Sequence, residues 1–237
     1  MARIATVTGA WNRPAITRLV MHNMNSLDSE HELVHHIALS PEDEHFKEHL
    51  SSANLYEYHT VVVPNRPLIE KFNAAVQLAK KSDPDAIFLY GSDDIVTADF
   101  ISQMYEALKD VDYVYPSLIH FYHVPSGVLI SRHLPQTGIR MFTRRAVDEM
   151  NWVLFTGGPG AMALDSALDK VVEEALIEKS VDLTGDAVIV DLKDGVTHRI
   201  EFRKYQYNAK GDDVEAIPFF LRHFPDTADE IMALQKV

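Results

Sequence analysis

Apolar and polar positions follow two alternating periods along this chain. Residues 4–8 are short, apolar and β-branched and predict a strand; Asn12-Arg13-Pro14 follows as a turn. Pro14 fits the first turn of a helix predicted over residues 15–27. Residues 33–39 read as a second strand, 42–50 as a short polar helix, and 58–63 as a third strand stopped by Pro64. From Pro67 onward Leu68, Phe72, Ala75, Val76 and Ala79 recur at three and four, the spacing of one buried helical face. Residues 86–90 form a continuous apolar run, as expected of a central strand covered on both sides, and 98–108 resume helical spacing.

Further on, residues 113–122 and 128–131 read as strands, 144–150 as a short helix and 162–179 as a longer one. Residues 187–192 and 197–202 flank Asp194-Gly195, the pattern of a two-strand hairpin, and a polar C-terminal segment ends in a helix. Strands alternating with helices predict an α/β fold: a mixed, mostly parallel sheet with helices on both faces and an antiparallel pair late in the chain. At 237 residues a single domain is expected.

Apolar residues make up 46% of the chain and charged residues 24%, the range of folded soluble proteins. A formal charge of −13 disfavours general binding to nucleic acid or to an anionic membrane. Two stretches run against that average. Residues 132–145 hold four arginines and no acid, and residues 199–204 hold three bases against Glu201, so a basic rim on an acidic body is expected. The lack of cysteine excludes disulfides, thiolate zinc sites and cysteine nucleophiles. The first residues enter a strand pattern without a signal-type apolar region, and no run approaches roughly 18 apolar residues. The expectation is a soluble, cytoplasmic protein with no membrane partner.

In open α/β sheets ligands settle beyond the carboxyl ends of the strands. Three such places carry polar chemistry: Thr8-Gly9-Ala10-Trp11-Asn12-Arg13, Pro64-Asn65-Arg66-Pro67 with Lys71 and Asn73 in the next helix, and Gly91-Ser92-Asp93-Asp94. Adjacent carboxylates after a buried strand raise each other's pKa unless a cation neutralises them. Hard oxygen ligands suit Mg2+ or Mn2+, which take one or two carboxylates together with substrate phosphates. The plainer alternative is that Asp94 caps the following helix while Asp93 faces solvent.

The order of these elements resembles the GT-A fold (Rossmann-like), family 2-like glycosyltransferases over residues 3–205, with residues 206–237 as a C-terminal helical extension on the same domain. Ile4-Ala5-Thr6-Val7-Thr8 with Asn12-Arg13-Pro14 resembles their opening strand and nucleotide-contacting turn. Lys71-Phe72-Asn73-Ala74-Ala75 is similar to the basic-x-Asn helix before their acidic motif, and Phe88-Leu89-Tyr90-Gly91-Ser92-Asp93-Asp94 falls where they carry a DxD-type motif. Gly91 stands where the first acid of that motif is usual. Met141-Phe142-Thr143-Arg144-Arg145 resembles the segment leading to the acceptor-side loop, and Leu164-Asp165-Ser166 lies where the family tends to have an acidic pair.

The resemblance implies a hexosyl- or pentosyltransferase that moves a sugar from a nucleotide diphosphate sugar, UDP-linked, to an acceptor hydroxyl with inversion. One carboxylate must accept a proton while positive charge stabilises the departing diphosphate. It assigns Asp165 as the base, Asp93 and Asp94 with His198 as ligands of Mn2+ or Mg2+, and Thr8, Asn12, Arg13, Asn65, Lys71, Asn73, Ser92 and Asp93 as donor-binding residues. The acceptor stays open among glycan, small molecule, protein and modified nucleic-acid base, and so does the oligomeric state. Two other classes compete: a nucleotidyltransferase, for which Gly9-Ala10-Trp11-Asn12-Arg13 is too short and glycine-poor, and a non-catalytic nucleotide or sugar binder.

Twelve histidines invite a zinc hypothesis, with His31/His35 and His45/His49 at four-residue spacing, but both pairs lack a third ligand and are expected at the surface. Gly157-Gly158-Pro159-Gly160 lacks the lysine of a phosphate-cradling loop and reads as an acceptor-side lid. Tyr113, Tyr115, Phe121 and Tyr122 are expected in the core.

Overall fold

Strand β1 (Arg3–Gly9) pairs in parallel with β2 (Glu32–Leu39) on one side and β4 (Ala86–Leu89) on the other, at the middle of a seven-stranded sheet. The computed structural model describes residues 1–133, 138–156, 176–194 and 213–236. Beyond β2 lies β3 (His59–Val62), also parallel. Beyond β4 the sheet continues through β9 (Arg140–Thr143), β6 (Tyr113–Pro116) and β10 (Glu178–Val181), with β9 antiparallel to both of its neighbours. A second, five-stranded sheet runs in the order β12 (Asp213–Val214), β8 (Val128–His133), β7 (Leu118–His123), β11 (Ile189–Lys193) and β5 (Asp94–Val96).

Both faces of the large sheet are buried, and the two-residue period of a strand divides its side chains between them. Ile4, Ile37, Leu39, Phe88 and Tyr90 join one cluster with α1 (Pro14–Ser26), α4 (Ala98–Ala107) and the inner face of the small sheet. Ala5, Val7, Ala38, Ile87 and Leu89 join the other with Ile69, Phe72, Ala75, Val76 and Ala79 of α3 (Leu68–Ala79). The apolar spacing that predicted α3 is therefore its contact face. Helix α5 (Arg144–Glu149) starts with Thr143, whose hydroxyl accepts from the Ala146 N–H at 3.1 Å. The C-terminal helices α6 (Ala216–His223) and α7 (Ala228–Ala233) bury Phe220, Phe224, Ala228 and Ile231 in the first cluster, with Phe220 edge-on to Tyr122 at 4.8 Å.

Several expectations need correction. The strand predicted over residues 113–122 is two strands in different sheets, broken at Pro116-Ser117, where proline removes a ladder donor. The polar helix predicted from residue 42 begins later, as α2 (Phe46–Leu55), because the Asp43 carboxylate accepts from the His45 N–H at 2.9 Å and holds the preceding residues as a turn. Of the helix predicted over residues 162–179, residues 162–175 lie outside the described residues, while the stretch from Glu178 is β10. The hairpin partner at 197–202 and the Gly157-Gly160 loop also lie outside them; β11 is paired on one edge with β5 and on the other with β7.

Of the basic rim expected from two stretches, residues 199–204 lie outside the described residues, and three arginines of residues 132–145 are buried or paired with acids. Arg140 is buried in the sheet; Arg144 pairs with Asp83 at 2.8 Å and Asp148 at 2.7 Å and lies over Trp152; Arg145 meets Asp112 at 2.5 Å. The histidines are not all at the surface either. His35 accepts or donates at Thr6 Oγ1 over 2.8 Å and stacks on Tyr58, and His36 stacks on His59, because β2 is an interior strand.

Burial, reinforced by neighbouring histidines, pushes His35, His36 and His120 each down from the ordinary 6.5 to about 4. The unfolded chain then binds more protons than the folded one between pH 6.5 and 4, so this contribution to stability is complete above 6.5 and is lost as pH falls toward 4. The thermal midpoint, followed by circular dichroism, is expected to drop across that window, and to drop less in His36→Gln; an identical decline in both proteins contradicts the assignment.

Candidate functional site

The strand order reverses at β1 and β4, and the crevice outside the carboxyl ends of those two strands is where ligands settle in open sheets. The chain leaves β4 through Tyr90 and turns tightly. The Asp94 N–H donates to the Gly91 carbonyl at 3.3 Å, and the Asp94 carboxylate accepts from the Gly91 N–H at 2.5 Å. Asp94 then opens β5, which pairs antiparallel with β11 and sets Asp94 opposite Asp191. Ligand oxygens of Asp93, Asp94 and Asp191 all lie within 4.8 Å of one another.

Gly91 is a steric requirement of that arrangement. A Cβ at this position would sit 2.6 Å from Asp93 Oδ1 and 2.8 Å from Asp94 Oδ2, closer than such atoms approach. The residue that departs from the DxD-type pattern thus leaves room for the two acids after it, and the third acid comes from β11. Asp191 was not singled out from the sequence; the signal available was an acid inside the apolar run Ala187-Val188-Ile189-Val190-Asp191-Leu192.

Among the described residues, two cations face these acids. Arg13 Nη1 lies 2.8 Å from Asp93 Oδ2 and its Nε is 4.0 Å from Asp194 Oδ2. Lys193, on the same face of β11 as Asp191, places its ammonium 2.6 Å from Asp191 Oδ2 and 3.3 Å from Asp93 Oδ2. Arg13 reaches its position from a strained turn: Asn12 and Arg13 both adopt left-handed backbone, at φ 53° and 50°. Burial and then the charges of Asp191 and Asp93 push the Asp94 carboxyl well above its ordinary 3.8, against the opposing pull of Lys193 and the Gly91 N–H. Burial is the largest single influence and pulls both cations toward neutrality, but the surrounding carboxylates together outweigh it, Asp93, Asp194 and Asp191 at Arg13 and Asp191, Asp93 and Asp94 at Lys193, so both are raised.

The remaining expected residues divide into two groups. Thr8, near the end of β1, and Ser92, next to Asp93 in the acidic turn, are buried, and Thr8 Oγ1 has no hydrogen-bond partner among the described residues. Lys71, Asn65 and Asn73 face inward. The wholly buried Lys71 ammonium donates to the Ala10 carbonyl and, at 3.1 Å, to Asn65 Oδ1; it lies over Trp11, and burial pulls its pKa from 10.5 to about 8. Asn73 donates to the Phe155 carbonyl at 2.8 Å and accepts from its N–H at 3.0 Å. The Asn12 N–H donates to Asp43 at 2.8 Å, joining the turns after β1 and β2; Asp43, buried, is a site neighbour that sequence reading passed over. Asp165 and His198 lie outside the described residues.

A mixed, mostly parallel sheet with an acidic turn after β4 that leads into a second, smaller sheet is the GT-A fold, and the chain has that fold. Solved structures agree across nearly the whole chain. The mannosyltransferase PcManGT from Pyrobaculum calidifontis, in complex with GDP-Man and Mn2+, matches at a TM-score of 0.59 and 12% identity over 99% of this chain and 73% of its own. TarS 1-349 from S. aureus, with UDP-GlcNAc, matches at 0.62 and 11% over 99% and 71%. Glucosyl-3-phosphoglycerate synthase from Mycobacterium tuberculosis, with Mn2+, UDP and glucosyl-3-phosphoglycerate, matches at 0.55 and 16% over 80% and 72%. No protein-family model and no curated protein sequence matches the chain. Among the described residues no helix is long and apolar enough to cross a membrane.

Arg13 and Asp93 form a largely buried pair, and removing one member leaves the other poorly compensated. Arg13→Ala is expected to lower unfolding free energy by about 2 kcal/mol in urea titrations, less than a fully buried pair because Lys193 remains. In an Asp93→Asn background the same change should cost much less; equal costs in both backgrounds refute the coupling.

Proposed function

We propose that the protein is a glycosyltransferase: it moves a sugar from a nucleotide diphosphate sugar, UDP-linked, to an acceptor hydroxyl with inversion. The observation that carries this reading is the set of Asp93, Asp94 and Asp191, faced by Arg13 and Lys193, at the switch point of a GT-A sheet. The fold neighbours whose structures hold GDP-Man, UDP-GlcNAc or UDP, two of them with Mn2+, support it.

The three acids fit a divalent cation. Their oxygens are hard donors within 4.8 Å of one another, and the missing Cβ at Gly91 keeps them together. Mn2+ or Mg2+ held by Asp93, Asp94 and Asp191 would draw negative charge from the departing diphosphate. Arg13 presents a planar fork of donors on the same side and binds phosphate oxygens once a ligand competes for Asp93. Thr8 and Ser92 offer hydroxyls at the strand ends, and the Asn12 turn, pinned by Asp43, shapes the nucleoside side. Lys71, Asn65 and Asn73 support this wall from within. Asp165 accepts the proton of the attacking hydroxyl, and His198 completes the cation site; both roles rest on the family resemblance, as does the choice of UDP.

A panel of nucleotide sugars, with and without MnCl2, tests the reading through nucleotide release and thermal shift. Release of nucleoside diphosphate is expected. Pyrophosphate formed from a sugar phosphate and a nucleoside triphosphate would instead make the protein a nucleotidyltransferase, and stabilisation without turnover, acceptors supplied, would make it a binder. Asp165→Asn should abolish turnover and spare donor binding; equal loss of both removes Asp165 from the role of base. Gly91→Asp, which restores the usual acid, is expected to weaken Mn2+ binding because its Cβ would meet Asp93 and Asp94, and tighter binding would show that the third ligand is supplied at position 91 and not by Asp191.

A further inference from the structure

Lys193 occupies ground that a bound cation would share. Its ammonium is held 2.6 Å from Asp191 Oδ2 and 3.3 Å from Asp93 Oδ2, oxygens of two of the three acids grouped at the site. The side chains involved are only 16%, 15% and 10% exposed, so water screens the contacts weakly. Arg13 lies on the same Asp93 oxygen, Asp194 faces Arg13, and the Asp94 carboxylate accepts from the Gly91 N–H. With Arg13 and Lys193 in place, at least two positive charges already oppose the three acids. A divalent ion arriving among them meets ammonium-bound oxygens and a positive charge at close range.

We propose that Lys193 is the resident counter-cation of the three-acid site and that a divalent metal enters only by displacing its ammonium from Asp191 and Asp93. β11 supplies both partners of this competition, since Asp191 and Lys193 are two residues apart and share one face. The released ammonium stays tethered beside the metal, where it meets the negative charge of a diphosphate. Metal alone is therefore held weakly, and metal with nucleotide diphosphate is held well, because the phosphates return ligands to the ion and a partner to Lys193. The inference rests on the transferase reading only for the class of the cation.

The test is Mn2+ affinity of the full chain by isothermal titration calorimetry with MnCl2 and no nucleotide. Lys193→Met, which keeps most of the stem, is expected to bind Mn2+ about tenfold more tightly than wild type, the lower range for removing a close charge pair. A residue that merely organised the acids would weaken binding when removed, so equal or weaker affinity overturns the proposal. A second measurement needs no variant: acetylation of wild-type Lys193 by acetic anhydride, followed by mass spectrometry, should rise several-fold on adding MnCl2. Unchanged or reduced labelling at saturating MnCl2 overturns it. If neither protein binds Mn2+ the inference also fails, whereas the transferase reading is decided separately by nucleotide-sugar binding and release in EDTA.

Discussion

Like charges held in a small, poorly hydrated space must be compensated, and this constraint organises the molecule around Asp93, Asp94 and Asp191. Two unit charges about 4 Å apart repel by about 4 kcal/mol at an effective dielectric of about 20, a large part of the stability of an ordinary domain. The fold answers with charge taken from two distant parts of the chain. Arg13 comes from a turn whose backbone is bent into left-handed conformation at two successive non-glycine residues, and Lys193 from a strand that also supplies one of the acids. Asp94 yields in the other direction, its carboxyl held toward the neutral form by burial beside its neighbours.

The seam between the two sheets makes this possible. β4 belongs to the large sheet and β5 to the small one, with only the acidic turn between them, so that turn is where the sheets meet. Because β5 pairs antiparallel with β11, an acid about a hundred residues later in the chain faces the turn directly. Gly91 is the hinge of this seam: the space that its missing side chain leaves is taken by the carboxylates of Asp93 and Asp94.

Much of this was legible in the sequence where local signals are strong. The helical face of α3, the apolar run of β4 and the acids that follow it obey short-range periods, and the structure places them as read. What escaped reading depended on pairing across the chain. β9 is only Arg140-Met141-Phe142-Thr143, and it becomes a strand because β4 and β6 offer edges on both sides. Asp191 lies within the apolar run of residues 187–192 and was passed over, and the pairing of β5 with β11 sets it opposite Asp94. The inward contacts of Lys71 and Asn73 escaped reading in the same way. Their polar tips are close to the strand ends in sequence, but Ala10, Asn65 and Phe155 capture them from inside.

The capture of Lys71 has a mechanical meaning. One ammonium joins the end of β1, the loop after β3 and the helix α3, while its stem passes 3.3 Å from where a Cβ of Gly9 would be and its head lies under Trp11. A keystone of this kind leaves the floor of the crevice little freedom to rearrange. A floor braced in this way has little order left to lose when something settles on it, so the cost of ordering falls on the side chains above that are held by ion pairs, Arg13 and Lys193.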